Sequence, residues 1–400
     1  MVEQRTFNPF VVGSTPARPT KDTQASPWGW LFSWAVMTSS AVNRMPLVDA
    51  LKGIACVLIV SHHLAFYGPM SDVALALAPA LISWLYDYGR LAVQVFLVMA
   101  GFLTAGQLSR FARSGQCVPL LSLVWQRYLR LAIPYVSALL VAIVMAALIR
   151  PWLHHESVPS APDFWRVVSH VFMLHNWLGH EALSAGVWYV AIDLQLYSLA
   201  VLLFWLGQKL AGPMDPHDVV ARSRLTAWVV SLTSMLMLAS LLFFNRDAGF
   251  DITGLYFFGS YALGMMARWA SGRRHPWLWL AALAAVGGLA LMLEFRIRIA
   301  IALATSMLLG VVLLRGSWHW LHHGLLAWLG RISYSVFLIH FPICLLFNAA
   351  WHHWFPTQPW VNILGMGLAL MSSLACGHLF WLLVENRGSA KVMGALAALR

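Results

Sequence analysis

A few ionisable residues stand inside otherwise apolar segments, and these are the residues that could do chemistry. In DALKGIACVLIVSHH, residues 49–63, Lys52 and His63 are eleven positions apart. At about 100° per residue, that spacing returns to the same face of a helix after a rise of about 16 Å. Asp49 lies one turn before Lys52 and is a plausible partner for its ammonium. A cation and an imidazole on one stripe are suited to binding an anion and moving a proton.

A second stretch, VWYVAIDLQLY, carries a carboxylate into an apolar segment. Asp193 and Tyr197 are four positions apart and therefore share a helix face. A lone carboxylate in such a segment must be paired, protonated or solvated by a cavity. We expect Asp193 to orient an imidazole or to stabilise its charged form.

A third stretch, GRISYSVFLIHFPI, places Ser333 and Tyr334 near the start of an apolar segment and His340 near its middle. Histidine titrates near neutral pH, which suits general-base catalysis. Two deep histidines and one carboxylate on separate helices predict a shared polar pocket. We expect His63 to be the base, with His340 as a second base or an acceptor ligand. The alternative for His63 is a histidine satisfied by a neighbouring helix.

Arginines are grouped where the inner membrane surface is expected. QRYLRLAIPY places Arg127 and Arg130 three positions apart on one face, and Arg331 and Glu385 end other segments at the same level. Arginine binds phosphate groups with two hydrogen bonds, so this group could hold an anionic cofactor. The alternatives are ordinary anchoring of positive charge at the inner surface and, for Lys52, a lysine that extends to the interface.

The elements that must position these residues are membrane-spanning helices. The 400-residue chain is 60% hydrophobic and 10% charged, whereas soluble domains are about 25% charged. Apolar runs of about 20 residues recur, each long enough to cross a hydrocarbon core of ~30 Å as a helix. The sequence therefore predicts an all-α, polytopic transmembrane bundle of about ten helices. The predicted spans are 47–66, 89–107, 131–150, 186–208, 225–244, 252–270, 276–293, 299–315, 325–349 and 360–384.

The rest of the chain is expected to lie at or outside the membrane surface. Segment 73–88 is apolar but contains a proline, which predicts a re-entrant or interfacial piece. Residues 1–43 are predicted to be a polar cytoplasmic segment that includes a short interfacial stretch, PWGWLFSWAVM. The transmembrane domain is predicted to cover 44–388, followed by a cytoplasmic tail at 389–400.

Positive charge predicts the orientation. With the N-terminus and C-terminus both cytoplasmic, twenty of the 26 lysines and arginines fall on the inner side. This topology and the anionic lipid of the inner leaflet account for the net charge of +11 without nucleic-acid binding. No cysteine framework or metal-binding motif is present, so no disulfide and no metal site are predicted.

Taken together, these stretches resemble the acyltransferase-3 family of integral membrane acyltransferases. The family opens with Asp-x-Leu-Arg/Lys-Gly and has a basic residue separated from a histidine by ten residues, as at Asp49, Lys52, Gly53 and His63. Its Phe-Phe-x-x-Ser-Gly-Phe-Leu pattern is similar to VFLVMAGFL at 95–103. Four further motifs of the family are similar to stretches that follow in the same order here: QRYLRLAIPY, VWYVAIDLQLY, LGRISYSVFLIHFP and VENR.

The resemblance also has departures. Ala100 stands where the family usually has serine, Asp193 where it has glutamate more often, and Lys52 where it has arginine more often. A lysine keeps the positive charge but lacks the two-pronged geometry of a guanidinium.

The resemblance implies transfer of a short acyl group, most often acetyl, from a cytoplasmic acyl-coenzyme A to a hydroxyl of an extracytoplasmic carbohydrate. The acceptor would be an exopolysaccharide or lipopolysaccharide sugar, the location the bacterial inner membrane, and no cofactor would be permanently bound. Expected donor contacts are Arg127, Arg130, Arg331 and Tyr334. Expected supporting residues are Asp49, Tyr197, Ser333 and Glu385.

Two other functions fit the same residues. A transporter or flippase of a lipid-linked sugar or polar solute would use Lys52, Asp193 and the histidines as a relay. An inactive acyltransferase-like partner subunit would fit Ala100 and Asp193. Some family members carry an extracytoplasmic hydrolase-like domain after the last helix. Because the chain stops at residue 400, any such domain is expected to belong to a separate transferase or polysaccharide-synthesis protein.

Overall fold

The computed structural model describes residues 45–213, 218–316 and 324–386. Within these ranges the chain is helical and forms no strand. The predictions for residues 1–43 and 389–400 lie outside the described residues.

Thirteen α-helices are present in the described chain. They are α1 (Pro46–Phe66), α2 (Pro69–Ala74), α3 (Pro79–Tyr88), α4 (Ala92–Ser114), α5 (Leu120–Ile149), α6 (Phe164–Val171), α7 (Val187–Ala211), α8 (Val219–Leu242), α9 (Gly254–Ala270), α10 (Pro276–Leu293), α11 (Ile297–Arg315), α12 (Leu325–Trp354) and α13 (Pro359–Phe380). Short 3₁₀ turns occupy Gly89–Leu91, Phe244–Arg246 and Ala248–Phe250, and a π-helical turn, Trp381–Glu385, follows α13.

Nine stretches of the described chain are long and apolar enough to cross a membrane. Every long helix except α9 belongs to one of these stretches. The helices α3 and α4, together with the turn between them, form a single stretch of 36 residues. The helix α9, at the predicted span 252–270, has 17 residues, which is about the shortest length that can cross. The predicted class, an all-α bundle of membrane-spanning helices, is confirmed.

Helix packing indicates that α9 crosses as well. Cys56 Sγ contacts Ser333 O at 3.5 Å and His63 contacts His340 at 2.6 Å, with a separation of 277 residues in both pairs. A constant separation means that α1 and α12 run parallel and in register. Two parallel spans must be separated along the chain by an odd number of other crossings. Between α1 and α12 there are six candidate stretches. With α9 as the seventh, the described chain makes ten crossings, and its two ends lie on the same side.

The side on which these ends lie remains a prediction from charge. A reporter enzyme that is active only in the cytoplasm, inserted in the connection between α7 and α8, should be active because this connection is predicted to be inside. The matched insertion between α8 and α9, within Phe244–Phe250, should be inactive. Activity in the second position and none in the first would reverse the orientation.

Small residues let α1 and α12 approach closely, which positions the site. A Cβ atom on Gly53 would lie 2.8 Å from Leu329 Cβ, and one on Gly330 would overlap the backbone of Asp49. Glycines permit this approach in membrane bundles, where packing rather than hydrophobic burial drives helix association. The α12 stretch has the largest buried share of the nine, so its polar residues face protein.

Two predicted boundaries differ from the structure. The span predicted at 131–150 is α5, which begins eleven residues earlier, at Leu120. Arg127 and Arg130 therefore lie on the helix rather than before it, and a partner inside the bundle makes this possible for Arg127. Segment 73–88, predicted as re-entrant or interfacial, contains α3, which leads through a 3₁₀ turn into α4.

Candidate active site

The two deep histidines meet where α1 and α12 pack. His63 Nδ1 lies 2.6 Å from His340 Nε2. The rings stack at 11°, with their centroids 4.9 Å apart. Both side chains are buried, His340 completely. The sequence predicted that the two histidines converge on a shared polar pocket, and the structure brings them together as a dyad.

The hydrogen bonds of the dyad assign its protons. His340 Nδ1 lies 3.1 Å from Val336 O, and a carbonyl oxygen can only accept, so Nδ1 of His340 carries the proton. In a neutral ring His340 Nε2 is then an acceptor, and His63 Nδ1 must donate to it. His63 Nε2 is left with a free lone pair, and the described chain offers it no hydrogen-bond partner. This nitrogen is the one that can take a proton from a substrate.

The adjacent histidine has a different environment. His62 Nδ1 contacts Leu85 O at 2.9 Å, which ties α1 to α3. Its ring centroid is 5.3 Å from that of His63, but the ring tilts by 49° and makes no bond to the dyad. His62 therefore joins α1 to α3, whereas His63 belongs to the dyad.

The buried carboxylate pairs with an arginine. Asp193 Oδ2 lies 2.5 Å from Arg127 Nη2, and the Asp193 side chain is 7% exposed. The Arg127 guanidinium lies 5.3 Å from the centre of the Tyr197 ring, and Gln107 donates to Tyr197 Oη at 3.1 Å. Asp193 was expected against an imidazole, but its contact is with Arg127 on the neighbouring helix α5. Arg127 was expected to be free to bind phosphate, but one edge of its guanidinium is hydrogen-bonded to Asp193.

A second charged group lies nearer the starts of α1 and α12. The charged side chains around Lys52 include Asp49, Arg130, Arg127 and Glu385. Glu385 accepts a hydrogen bond from Ser335 Oγ at 2.6 Å and ends the π-helical turn. Such turns are frequent at functional sites. Arg130 is exposed although it lies among these charges, which leaves its guanidinium available to an anion.

The other predicted donor residues are less free. Tyr334 Oη donates to Leu131 O at 3.2 Å, which ties α12 to α5 just before Pro134. Ser333 Oγ donates to Gly330 O of its own helix at 3.0 Å. Arg331 is exposed, and no ion pair within the described ranges includes it.

Residues 151–185, which connect α5 to α7, fold back against the bundle. Tyr128 Oη donates to Val171 O at 3.2 Å, and Gly186 packs against Phe337, three residues before His340. His170 Nδ1 donates to Arg166 O at 2.7 Å, and its Nε2 accepts from Leu183 N at 3.2 Å.

Burial keeps two stacked histidines of this segment, His170 and His175, neutral. Burial lowers the pKa of His170 to about 4 and that of His175, stacked on it at 4.1 Å, to about 3. Their folded-state pKa values are depressed, so their contribution to stability is present above about pH 6.5 and decreases as the pH falls toward 4. The fold-back segment is therefore expected to be firmly held at neutral pH.

Two polar partners were missed in the sequence. Ser335 and Gln107 hold Glu385 and Tyr197, respectively. The available signal was the polar type of each residue within an apolar helix, the same signal that identified Asp193. Within the described chain no three His, Cys, Asp or Glu side chains are placed to hold a metal ion.

The arrangement supports proton transfer next to an anion site. One imidazole nitrogen is free, the opposite nitrogen is fixed by a second histidine, and an exposed arginine and a partly buried lysine lie nearer the helix starts. This combination of an oriented base and a positively charged entrance is suited to group transfer from an anionic donor.

Comparisons with known proteins agree with this chemistry. A family model described as "Acyltransferase domain" matches residues 46–382. The chain is 27% identical over 179 residues to a Caenorhabditis elegans protein named "Regulator of hypoxia-inducible factor 1". This alignment covers 42% of the chain and 35% of the worm protein, so the chain spans about a third of that relative. No solved structure matches the chain significantly.

Proposed function

Because the chain belongs to the acyltransferase-3 family, we propose that this membrane acyltransferase moves an acetyl or other short acyl group from cytoplasmic acyl-coenzyme A to a hydroxyl of an extracytoplasmic carbohydrate. The observation that carries the proposal is the hydrogen bond from His63 Nδ1 to His340 Nε2, which leaves His63 Nε2 free.

The donor would bind at the charged group nearer the helix starts. Arg130 is exposed and Lys52 lies within its field, so both can attract the coenzyme's phosphates. Lys52 and His63 are eleven residues apart, a rise of about 16 Å, which the coenzyme's long flexible arm would span with its thioester. The donor would enter from the cytoplasm if the predicted orientation holds.

The reaction needs only a base and a leaving thiolate. His63 Nε2 takes the proton of the acceptor hydroxyl as that oxygen attacks the thioester carbonyl carbon. A C–O bond forms, the C–S bond breaks, and the thiolate of the coenzyme leaves. The imidazolium of His63 returns its proton to the thiolate, so the products are an ester and a free thiol.

His340 would act through His63 rather than on the substrate. Its Nε2 accepts the His63 Nδ1 proton, and this bond strengthens when His63 becomes an imidazolium, because hydrogen bonds from charged donors are stronger. His340 is held in turn by Val336 O. In many acyl-transfer enzymes a base activates the nucleophile and a third group orients that base.

The cellular setting follows from the proposed substrates. The enzyme would lie in the bacterial inner membrane, with the donor inside and an exopolysaccharide or lipopolysaccharide sugar outside. Separate extracytoplasmic transferases or polysaccharide-synthesis proteins would be its partners.

The test is mass spectrometry of surface glycans from cells with the protein, without it, and with a His63→Ala variant produced at the same level. Acyl ester groups should be present only with the wild-type protein. Identical glycans in all three, together with no consumption of labelled acetyl-coenzyme A by the membranes, would contradict the proposal.

Donor binding gives a separate prediction. Arg130→Ala should weaken acetyl-coenzyme A binding by about 10–150-fold, because a hydrogen bond to a charged group contributes about 1.5–3 kcal/mol. The matched control is Arg222→Ala, an exposed arginine at the start of α8, which should leave the affinity unchanged. Calorimetry on purified proteins measures both. Equal losses would mean that general positive charge, rather than this site, attracts the donor.

A further inference from the structure

An apolar cavity lies apart from the histidine dyad. It has a volume of about 420 Å³, lies between α1, α3, α4 and α11, and is lined by residues that include Leu51, Leu58, Val95 and Ile301. Its volume falls within the range of ligand sites, about 300–1,000 Å³. Leu51 and Leu58 are turned about 110° around α1 from the Lys52–His63 stripe, so the cavity faces away from the proposed reaction path.

The rim of the cavity faces outward. Trp84 and Tyr88 on α3, Ile54 on α1 and Ile297 on α11 line the cavity and are each more than 40% exposed. These helices belong to stretches that can cross a membrane, so the rim faces the alkyl chains of the bilayer. Tryptophan and tyrosine are enriched where alkyl chains meet headgroups, which is the expected level of this rim.

A free positive charge stands at the same rim. Arg90 lies between Gly89 and Leu91, which both line the cavity, and its own side chain is exposed. Asp87, three residues earlier, is also exposed, but no ion pair among the described residues joins it to Arg90. A guanidinium beside an apolar cavity is complementary to a ligand with a phosphate head and an alkyl chain.

We propose that the cavity holds one alkyl chain of an anionic phospholipid whose phosphate lies at Arg90. A lining that is mostly apolar disfavours a polar solute, because it offers few hydrogen bonds to replace those with water. The sideways opening admits a chain directly from the bilayer. The site is independent of the proposed acyl transfer and needs no substrate to be filled.

The experiment is native mass spectrometry of the purified full-length protein with added phosphatidylglycerol or phosphatidylcholine. Leu58→Trp on α1 and Ile301→Trp on α11 fill the cavity from two different helices and should each lower bound phosphatidylglycerol at least about tenfold, or ~1.4 kcal/mol. The matched control, Leu364→Trp on the exposed face of α13, should bind as the wild type does. Unchanged binding in both wall variants, or an equal loss in the control, would overturn the site.

The headgroup is tested without altering the cavity. Arg90→Gln is a surface change that should preserve the fold and remove the preference for phosphatidylglycerol over phosphatidylcholine. Asp87→Asn, which removes the opposing charge, should increase that preference. A preference that survives Arg90→Gln would overturn the placement of the phosphate at Arg90.

Discussion

Replacing His63 with alanine is expected to slow acyl transfer by about 10²–10⁴-fold, the loss that follows removal of a general base. The reason is the assignment of protons in the dyad: His63 Nδ1 donates to His340, so only His63 Nε2 is free to accept a proton. Acetyl-coenzyme A binding should be nearly unchanged, because the charged group at Lys52 and Arg130 is untouched. Steady-state release of the coenzyme's thiol by the purified protein measures the effect.

The adjacent histidine provides the matched control. His62→Ala removes the same side chain from the same helix, but His62 contacts Leu85 O rather than the dyad, so turnover should change only a few-fold. Near-normal turnover in the His63 variant would contradict this mechanism and point to His340 as the base. Equal losses in the two variants would indicate damage to α1 rather than to catalysis.

Removing the carboxylate of Asp193 is expected to lower the free energy of unfolding by roughly 3 kcal/mol, near the lower end of the range for breaking a buried ion pair. The pair is short, at 2.5 Å, and the Asp193 side chain is 7% exposed, whereas that of Arg127 is 27% exposed. Asp193→Ala leaves Arg127 with its charge uncompensated inside the bundle, which is the main cost.

A double-mutant cycle separates the pair from its surroundings. Arg127→Met with Asp193→Leu replaces both charges by apolar groups and should cost less than the two single changes added together. The chain also offers an exposed pair, Arg246–Glu294, with side chains 54% and 41% exposed. Glu294→Ala should cost at most about 1 kcal/mol. Thermal unfolding in detergent measures all five variants, and additive losses at Arg127 and Asp193 would contradict the coupling.

The sequence predicted the helices and the helix on which each histidine lies, because both depend on local pattern. The run of apolar residues identifies a span, and eleven residues fix the angle and rise between Lys52 and His63. The meeting of His63 with His340 was predicted only as convergence on a shared pocket. Their direct bond depends on the register of α1 against α12, which is set by close packing at Gly53 and Gly330.

The partner of Asp193 could not be predicted from spacing. The sequence placed Asp193 within α7. In the structure, α7 begins beside Leu338 of α12 and beside Ala138 of α5, and Ala138 lies eleven residues before the end of α5. This offset between helices places Asp193 opposite Arg127 instead of a histidine. The sequence predicts Arg127 at the inner membrane surface, just before the span 131–150, because charge usually marks the end of a span. A buried carboxylate on another helix offsets the cost of placing a charged arginine inside a span. A single sequence carries no signal that such a partner exists.

The most direct measurement of the central claim uses inside-out membrane vesicles, which expose the cytoplasmic face, and labelled acetyl-coenzyme A, which cannot cross the bilayer. With the wild-type protein, label should become covalently attached to carbohydrate enclosed in the vesicles, and with His63→Ala almost none should. Label that stays outside the vesicles, or that appears inside equally with both proteins, would contradict transfer across the membrane by the His63–His340 dyad.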